Sequence, residues 1–339
     1  MDAKRSENVL VTGGAGFIGS NFIPHFLKNN QETRLVNLDK LTYAGSLDNL
    51  RETENNERYI FVKGDICDAE MVENIFKEYR ISSVIHFAAE SHVDNSIDSP
   101  DHFIKTNIRG TFTLLETARK FWLSDKSGDK DHRFHHISTD EVYGSLGKQG
   151  LFDENSPYAP NSPYSASKAA SDFLVRSYFH TYGLNVVTSN CSNNYGPKQH
   201  DEKLIPTIIR NAINGNAIPI YGDGSNVRDW LYVEDHCRVL ELIYHHGKSG
   251  ETYVVGGNNE HNNLYIAQTI CAILDEELPR EAGKYSDQIN FVKDRPGHDY
   301  RYAIDASKVK EELGWEPQED FNTGLKKTVG WYIAKYQKQ

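Results

Sequence analysis

The amino-acid sequence predicts an α/β protein: a doubly wound parallel sheet with helices on both faces, carrying a second and smaller lobe. Three observations predict it. Short β-rich runs alternate with longer amphipathic ones through the first half of the chain. A glycine cluster, Gly13-Gly14-Ala15-Gly16-Phe17-Ile18-Gly19, separates the first of these runs from the first amphipathic stretch. Beyond about residue 191 the alternation breaks up, where Pro197, Pro206 and Pro219, with Gly196, Gly215, Gly222 and Gly224, cut the chain into short pieces.

Strands are expected at residues 8–12, 34–39, 59–62, 83–88, 134–138 and 185–190, which are rich in β-branched and aromatic side chains. Helices are expected near 17–30, 69–79, 100–122 and 165–182. Parallel neighbours cannot be joined by a tight turn, so each crossover must be long, and here each is helix-sized. Pro100 suits a first helical turn, where its missing N–H costs nothing. Residues 144–163 are rich in Gly, Pro and Ser and lead directly to Tyr164; loops of that length usually cover a site. At about 150 residues per domain, a 339-residue chain makes two domains or one large α/β unit. Residues 1–190 are expected to form the first domain, with segments near 228–256, including a strand at 252–255, returning to it. Residues 191–339 are expected to form a discontinuous second lobe.

Charge and cysteine content narrow the function classes. Lys and Arg total 37 against 48 Asp and Glu, a formal charge of −11. That balance repels phosphate backbones at long range and argues against a nucleic-acid partner. The first eight residues are polar, and no apolar run approaches the ~20 residues of a membrane helix, so neither secretion nor a membrane partner is expected. Cys67, Cys191, Cys237 and Cys271 show no Cys-x-x-Cys spacing, and the 14 histidines show no His-Glu-x-x-His pattern. No metal site is expected; the cysteines read as reduced thiols of a cytoplasmic protein, and His135-His136 as residues of a buried strand.

The glycine cluster reads as a strand, a tight turn and a helix start, in either of two registers: Gly14-x-Gly16-x-x-Gly19 or Gly13-x-x-Gly16-x-x-Gly19. Glycines let the backbone approach a pyrophosphate, and the helix N-terminus turns free N–H groups toward it. Asp39 ends the second strand 20 residues after Gly19, where a carboxylate accepts from a ribose 2′-OH and repels a 2′-phosphate. NAD is therefore expected rather than NADP, with Lys40 the one feature pulling the other way. Asp65-Ile66 and Ala88-Ala89 follow the third and fourth strands and line the same sheet edge.

Two further stretches carry chemistry. Tyr164-Ser165-Ala166-Ser167-Lys168 sets a phenol and an ammonium four residues apart, on one helical face. Moving a tyrosine pKa from about 10 to about 7 takes roughly 4 kcal/mol, whereas an exposed pair supplies only ~0.3–0.5 kcal/mol. Lys168 can activate Tyr164 only if desolvated and helped by the positive charge of an oxidised nicotinamide. Ser138-Thr139-Asp140-Glu141-Val142-Tyr143-Gly144 lies past a strand's C-terminal end. Ser138-x-x-Glu141 has the spacing of a capping box, but Gly144 and Gly147 leave little helix to cap. Two adjacent carboxyls beside a redox cofactor suit a reaction that needs an acid and a base together.

These three motifs together resemble the extended short-chain dehydrogenase/reductase family, and within it the sugar-nucleotide 4,6-dehydratases. The resemblance runs through nearly the whole chain, with further matching stretches at 88–94, 193–197, 202–206, 222–230 and 295–299. Asp201 departs from it, standing where the family usually has proline before Glu-Lys. The resemblance implies a Rossmann-type sheet, bound NAD, and a nucleotide-diphosphate hexose as substrate, a dTDP-linked glucose first. It implies Tyr164 as base at the sugar 4-OH with Lys168 assisting and Thr139 hydrogen-bonding that hydroxyl, Glu141 as base at C5, and Asp140 as acid at the departing 6-OH. It adds Phe17, Ile18, Thr42 and Asn190 to the cofactor residues. On the substrate side it implies Glu90, His92, Asn193, Lys203, Leu204, Pro219, Tyr221, Arg228, Asn263 (or Asn262), Arg295 and His298. It implies a homodimer through helices around 106–121 and 166–182, with Phe112, Leu115, Phe173, Leu174 and Tyr178 supplying apolar surface. The alternatives are a 4,6-dehydratase of a UDP- or CDP-linked hexose, a nucleotide-sugar 4-epimerase, which has no need of Asp140 and Glu141, and a non-catalytic NAD-binding sensor.

Overall fold

Alternate residues of the first strand belong to two different cores. Val9 and Val11 pack with Phe22, Ile23 and Phe26 on one face of the sheet, and Leu10 packs with Val72, Ile75 and Phe76 on the other. A strand apolar on both faces belongs in the middle of a covered parallel sheet, and that is where the structure, a computed structural model describing residues 7–124, 132–294 and 297–337, places it. Its strands are β1 (Asn8–Thr12), β2 (Arg34–Asp39), β3 (Tyr59–Lys63), β4 (Ser83–His86), β5 (Arg133–Thr139), β6 (Val186–Cys191), β7 (Asn193–Tyr195), β8 (Ile218–Tyr221), β9 (Val227–Tyr232), β10 (Thr252–Val255), β11 (Glu260–Asn262) and β12 (Ile289–Val292).

Seven of these form one parallel sheet in the order β3-β2-β1-β4-β5-β6-β10. The order reverses between β1 and β4, and in such sheets ligands bind in the crevice at the carboxyl ends beside that switch. The helices Phe17–Asn29 and Val233–His246 pack together on one face; Ala69–Tyr79, Thr111–Ser124 and Pro163–Tyr182 cover the other. A second core gathers Ile205, Ile209, Ile220, Trp230, Ile266, Leu325 and Val329 from helices Leu204–Ile213, Asn263–Glu277 and Phe321–Tyr336 and the strands between them. There β9 lies between β7 and β11, and β12 pairs with β8. In the stretch expected to return to the main sheet, β10 does so beside β6, whereas β9 stays with the small sheet.

Several boundaries differ from expectation for identifiable reasons. The fourth strand ends at His86 rather than residue 88, because the chain must turn where Gly13 crosses Ala88. The run 100–122 is not one helix: a wider π-helical stretch, Ile104–Gly110, interrupts it and carries Asn107, whose side chain bonds Glu90 and Ser167. The helix expected from 165 starts at Pro163, because Ser162 and Ser165 cap each other's backbone amides at 3.0 Å. The 144–163 loop does not line the cavity described below. It is laced to the far segment instead, by Leu146 N–H to the Arg301 carbonyl (2.9 Å) and Phe152 N–H to that of Ala303 (2.9 Å). Among the described residues no helix is long and apolar enough to cross a membrane, no cluster of His, Cys, Asp or Glu is set to hold a metal, and the four cysteines are free.

The sheet buries an unusual number of imidazoles. His86, His135 and His136 lie on β4 and β5, and His236 lies on the helix Val233–His246, all fully buried. Burial holds His136 at about 4 and His236 at about 3, and pushes His86 and His135 well below the ordinary 6.5. Between the folded and unfolded values the unfolded chain takes up protons that the folded one refuses, so stability rises with pH across that window and falls on acidification. Each such histidine costs about 1.4 kcal/mol per pH unit inside it. We expect the urea midpoint to hold from about pH 8 to 7 and fall steeply below about 6.5. His236→Phe should flatten the fall, since neither ring nitrogen of His236 has a hydrogen-bond partner among the described residues. An unchanged slope in that variant would refute the assignment.

Candidate functional site

The cavity opens at the carboxyl ends of β1, β2, β4, β5 and β6. Gly13 follows β1 in the left-handed region (φ 73°), and a Cβ there would stand 2.6 Å from the Ala88 backbone. Only glycine fits. A Cβ on Gly19 would stand 2.6 Å from the Gly13 carbonyl, so the helix Phe17–Asn29 lies directly on the turn. Gly16 is its N-cap and no side chain caps it; Gly13, Gly16, Phe17, Ile18 and Gly19 all line the cavity. Uncapped amides at the positive end of a helix are what a diphosphate requires.

Asp39 ends β2 in the same cavity. Its carboxylate accepts from Ala15 N–H at 2.9 Å and Leu41 N–H at 2.8 Å, and further lone pairs remain for a ribose hydroxyl. Lys40, the residue that favoured a 2′-phosphate, is paired with Asp65 at 2.9 Å, and that hydrogen bond raises its pKa. Thr42, Asp65, Ile66, Ala88 and Ala89 complete this side. The glycine cradle, the uncapped helix and the Asp39 carboxylate fit a dinucleotide with a free ribose 2′-OH. Asn190 lies elsewhere: it is buried in β6, where it donates to the Thr139 carbonyl (3.0 Å) and to Asp172 (3.1 Å). It supports the site from behind.

Past β5 the chain makes a four-residue 3₁₀ turn, Asp140–Tyr143, whose cap is Thr139 rather than Ser138: Thr139 Oγ1 accepts from the Glu141 N–H at 3.2 Å. This turn aims Thr139, Asp140 and Glu141 into the cavity, facing Tyr164 and Lys168. Asp140 is 1% exposed. Its Oδ1 accepts from Thr139 Oγ1 at 3.2 Å, and its Oδ2 has no hydrogen-bond partner among the described residues. Burial first, then the charges of Glu141 and Asp229, raise its pKa well above the usual carboxylate range, against the opposing pull of Arg228. The surroundings of Asp140 thus favour its protonated form over its carboxylate. Burial, with Glu141 and Cys191, likewise raises the Tyr164 phenol, which bonds Thr139. Lys168 is buried and donates to the Ile137 carbonyl at 2.8 Å; desolvation lowers its pKa and Asp172 opposes that. Lys168 is desolvated, as the energetics of a tyrosine base demand, whereas the burial of Tyr164 opposes loss of its proton.

Asp172, one turn beyond Lys168, organises this edge. Its carboxylate accepts from His136 (3.1 Å), Ser138 (2.9 Å), Tyr158 (2.9 Å) and Asn190 (3.1 Å). Burial would raise its pKa, but the bonds from His136 and Ser138 and the charge of Lys168 outweigh it, and the carboxyl lies below its ordinary value.

The expected substrate residues divide. Glu90, Asn193 and Lys203 line the cavity, and Lys203 donates to the Ser91 carbonyl at 2.8 Å. His92 caps the short helix Val93–Asp98 and lies 3.9 Å from Glu202. Arg228, on β9, donates to the carbonyls of Val227, Asp299 and Tyr300 and lies over the Tyr302 ring at 4.3 Å. It does not line the cavity, although it stands close enough to pull on Asp140. Leu204, Pro219, Tyr221, Asn263 and His298 also lie outside the cavity lining, in the second lobe, with His298 bonded to Asp294 at 2.7 Å. Arg295 lies outside the described residues. The cavity also takes in Thr106, Ser192, Gln199, His200 and Glu202, which the sequence reading passed over. Glu202 and Asp172 had a signal: one adjoins Lys203, the other shares the helical face of Tyr164 and Lys168. Thr106 had none, because a π-helical stretch shifts its face.

Four similarities bear on this geometry. A model of the family described as GDP-mannose 4,6 dehydratase matches residues 10–328. A dTDP-glucose 4,6-dehydratase of Neisseria gonorrhoeae is 54% identical over 338 residues, covering 98% of this chain and 97% of its own. A dTDP-glucose 4,6-dehydratase of Bacillus anthracis, solved in complex with NAD, superposes with a TM-score of 0.87 at 45% identity over 98% of both chains. A UDP-glucose 4-epimerase of Thermotoga maritima, solved with UDP-glucose, follows at 0.85 and 30% identity, covering 97% of this chain and 99% of that one. One fold serves both reactions, so the site must separate them.

The Asp172 arrangement makes a stability prediction. Asp172→Ala removes the acceptor from three buried donors and the half-buried Tyr158 hydroxyl and should lower unfolding free energy by roughly 3–5 kcal/mol. Asp172→Asn should cost less, since an amide keeps one accepting oxygen. Denaturation midpoints of the two variants would test this; equal losses would mean the bonds contribute little.

Proposed function

The chain belongs to the family described as GDP-mannose 4,6 dehydratase, and from that premise we propose that it converts dTDP-glucose to dTDP-4-keto-6-deoxyglucose and water, using bound NAD. The choice of sugar nucleotide is supported by the relatives named dTDP-glucose 4,6-dehydratase, 54% identical over nearly the whole chain. The observation that carries the reaction type is Asp140: a buried carboxyl whose surroundings favour the protonated form, with one oxygen unbonded among the described residues, beside Glu141 and in the same cavity as Tyr164. An epimerase needs oxidation and reduction at C4 alone and has no use for such a pair.

Bound NAD would supply a hydride acceptor, a hydride donor and, when oxidised, a positive charge beside Tyr164. Gly13, Gly16 and Gly19 with Phe17 and Ile18 would hold its diphosphate, Asp39 its ribose, and Thr42, Asp65, Ile66, Ala88 and Ala89 its remaining surface. Tyr164 takes the proton of the sugar 4-OH, with Thr139 bonding the same hydroxyl and Lys168 stabilising the phenolate. A ketone at C4 acidifies the neighbouring C5–H, which Glu141 removes. Asp140 gives its proton to the departing 6-OH, and water leaves; C6 would then regain the hydride that C4 lost, and C5 a proton, to complete the product. The order matters because an unactivated sugar C5–H is too weak an acid for a carboxylate. Residues 1–190 with β10 would serve the cofactor and residues 191–339 the nucleotide sugar, where Lys203 is the cation best placed for the diphosphate.

We also propose a homodimer through helices Thr111–Ser124 and Pro163–Tyr182. Of the five apolar residues expected there, Leu115 and Tyr178 are buried in the monomer's own core and Leu174 packs against it. Phe112 and Phe173 are 46% and 57% exposed and supply the surface. Phe112→Glu should convert the dimer to monomer by light scattering; an unaffected mass would remove these helices from the interface.

Asp140→Asn combined with Glu141→Gln should cut water loss by roughly 10²–10⁴-fold. Oxidation at C4 should survive, read as the ultraviolet absorbance of reduced nicotinamide building up after dTDP-glucose is added. Dehydration at a native rate in that variant, followed by mass spectrometry, would refute the roles of both carboxyls.

A further inference from the structure

Residues 197–203 form a strap from β7 to the helix Leu204–Ile213, and Gln199, His200, Glu202 and Lys203 carry it along the cavity. One end is tied to the nucleotide half. Asn21 Nδ2 donates to the Pro197 carbonyl at 3.0 Å, and Lys198 Nζ to the Ser20 carbonyl at 3.1 Å and to Glu52 at 2.8 Å. The other end is tied to the last helix, Phe321–Tyr336. Asp201 Oδ1 accepts from Lys335 Nζ at 2.9 Å and from Tyr336 Oη at 2.8 Å, and Tyr332 donates to the Gln199 carbonyl. Residues 332, 335 and 336 share one helical face.

Two features show that this tether is built. The Lys335 ammonium lies 5.7, 5.4 and 5.3 Å from the ring centres of Trp331, Tyr332 and Tyr336, so a side chain of high rotamer entropy is held in place for Asp201. Lys198 sits in the left-handed region at φ 71°, a conformation unfavourable for a side-chain-bearing residue that the strap keeps only if restrained on both sides. A proline at position 201 would stiffen the backbone by itself; an aspartate does so only through a partner.

We propose that Asp201, through Lys335 and Tyr336, is a positioning residue that fixes the strap so that Lys203 meets the diphosphate of the substrate. This rests on the function proposed above. This end of the strap acts on nucleotide-sugar affinity and leaves the chemical step and the cofactor alone, because Asp201, Lys335 and Tyr336 do not line the cavity.

The test uses the NAD-loaded full chain, its Asp201→Asn and Lys335→Met variants, and the conservative Lys335→Arg. Turnover of dTDP-glucose and calorimetric binding of dTDP alone are measured, with NAD content read after denaturation. Both neutralising variants should raise KM and the dTDP dissociation constant about five- to tenfold, the scale of one charge-assisted hydrogen bond lost from a half-exposed pair. Their kcat should stay within about twofold, NAD content should not change, and Lys335→Arg should restore affinity. Unchanged affinity would overturn the proposal, as would a joint fall of kcat and NAD content, the mark of a merely structural contact. A wild-type chain that binds dTDP without dehydrating dTDP-glucose would sink the functional reading, while the dTDP arm still judges the tether. A wild-type chain that fails to bind dTDP would sink both.

Discussion

Four hydrogen bonds converge on the carboxylate of Asp172, and the reactive edge of the sheet is assembled around it. It joins β5 through Ser138 and His136, β6 through Asn190, and the loop before Tyr164 through Tyr158. Its own helix carries Tyr164 and Lys168. Asp140, past the end of β5, is as deeply buried, yet among the described residues only Thr139 bonds it. The same desolvation therefore has opposite net results: hydrogen bonds and the nearby charges of His136 and Lys168 take the pKa of one carboxyl below its ordinary value, while the other, with few donors, is shifted well above it.

The fold was largely legible because hydrophobic alternation and helix-sized crossovers leave few topologies. The strands 8–12 and 34–39 and the helix 69–79 have the expected bounds. What periodicity could not convey was anything set by a single extra backbone unit or a distant partner. The π-helical stretch at Ile104–Gly110 has the composition of the helices that flank it. The loop 144–163 carries no sign that it would bind residues 300–305 rather than roof the cavity.

The site was legible where chemistry imposes contiguous motifs: the glycine turn, the Thr139–Glu141 turn and the Tyr164/Lys168 spacing. It was less so where a residue acts through others. Asn190 and Arg228 lie behind the surface the motifs suggested, one bonding Asp172 and the other pulling on Asp140 through the protein interior. Asp172 was hidden in plain view, as one more polar residue on a helix rich in serine.

β10, only four residues long, closes the outer edge of the main sheet after the chain has already built β7, β8 and β9 elsewhere. The sheet is thus unfinished until about 255 residues have been synthesised, and until then β6 is an open edge with unpaired backbone groups. For a chain made from its N-terminus at a finite rate, the roughly 64 residues between the end of β6 and the end of β10 are a defined interval of aggregation risk lasting about 3–13 seconds at about 5–20 residues per second. Nascent-chain shielding by chaperones would matter most between the emergence of β6 and that of β10.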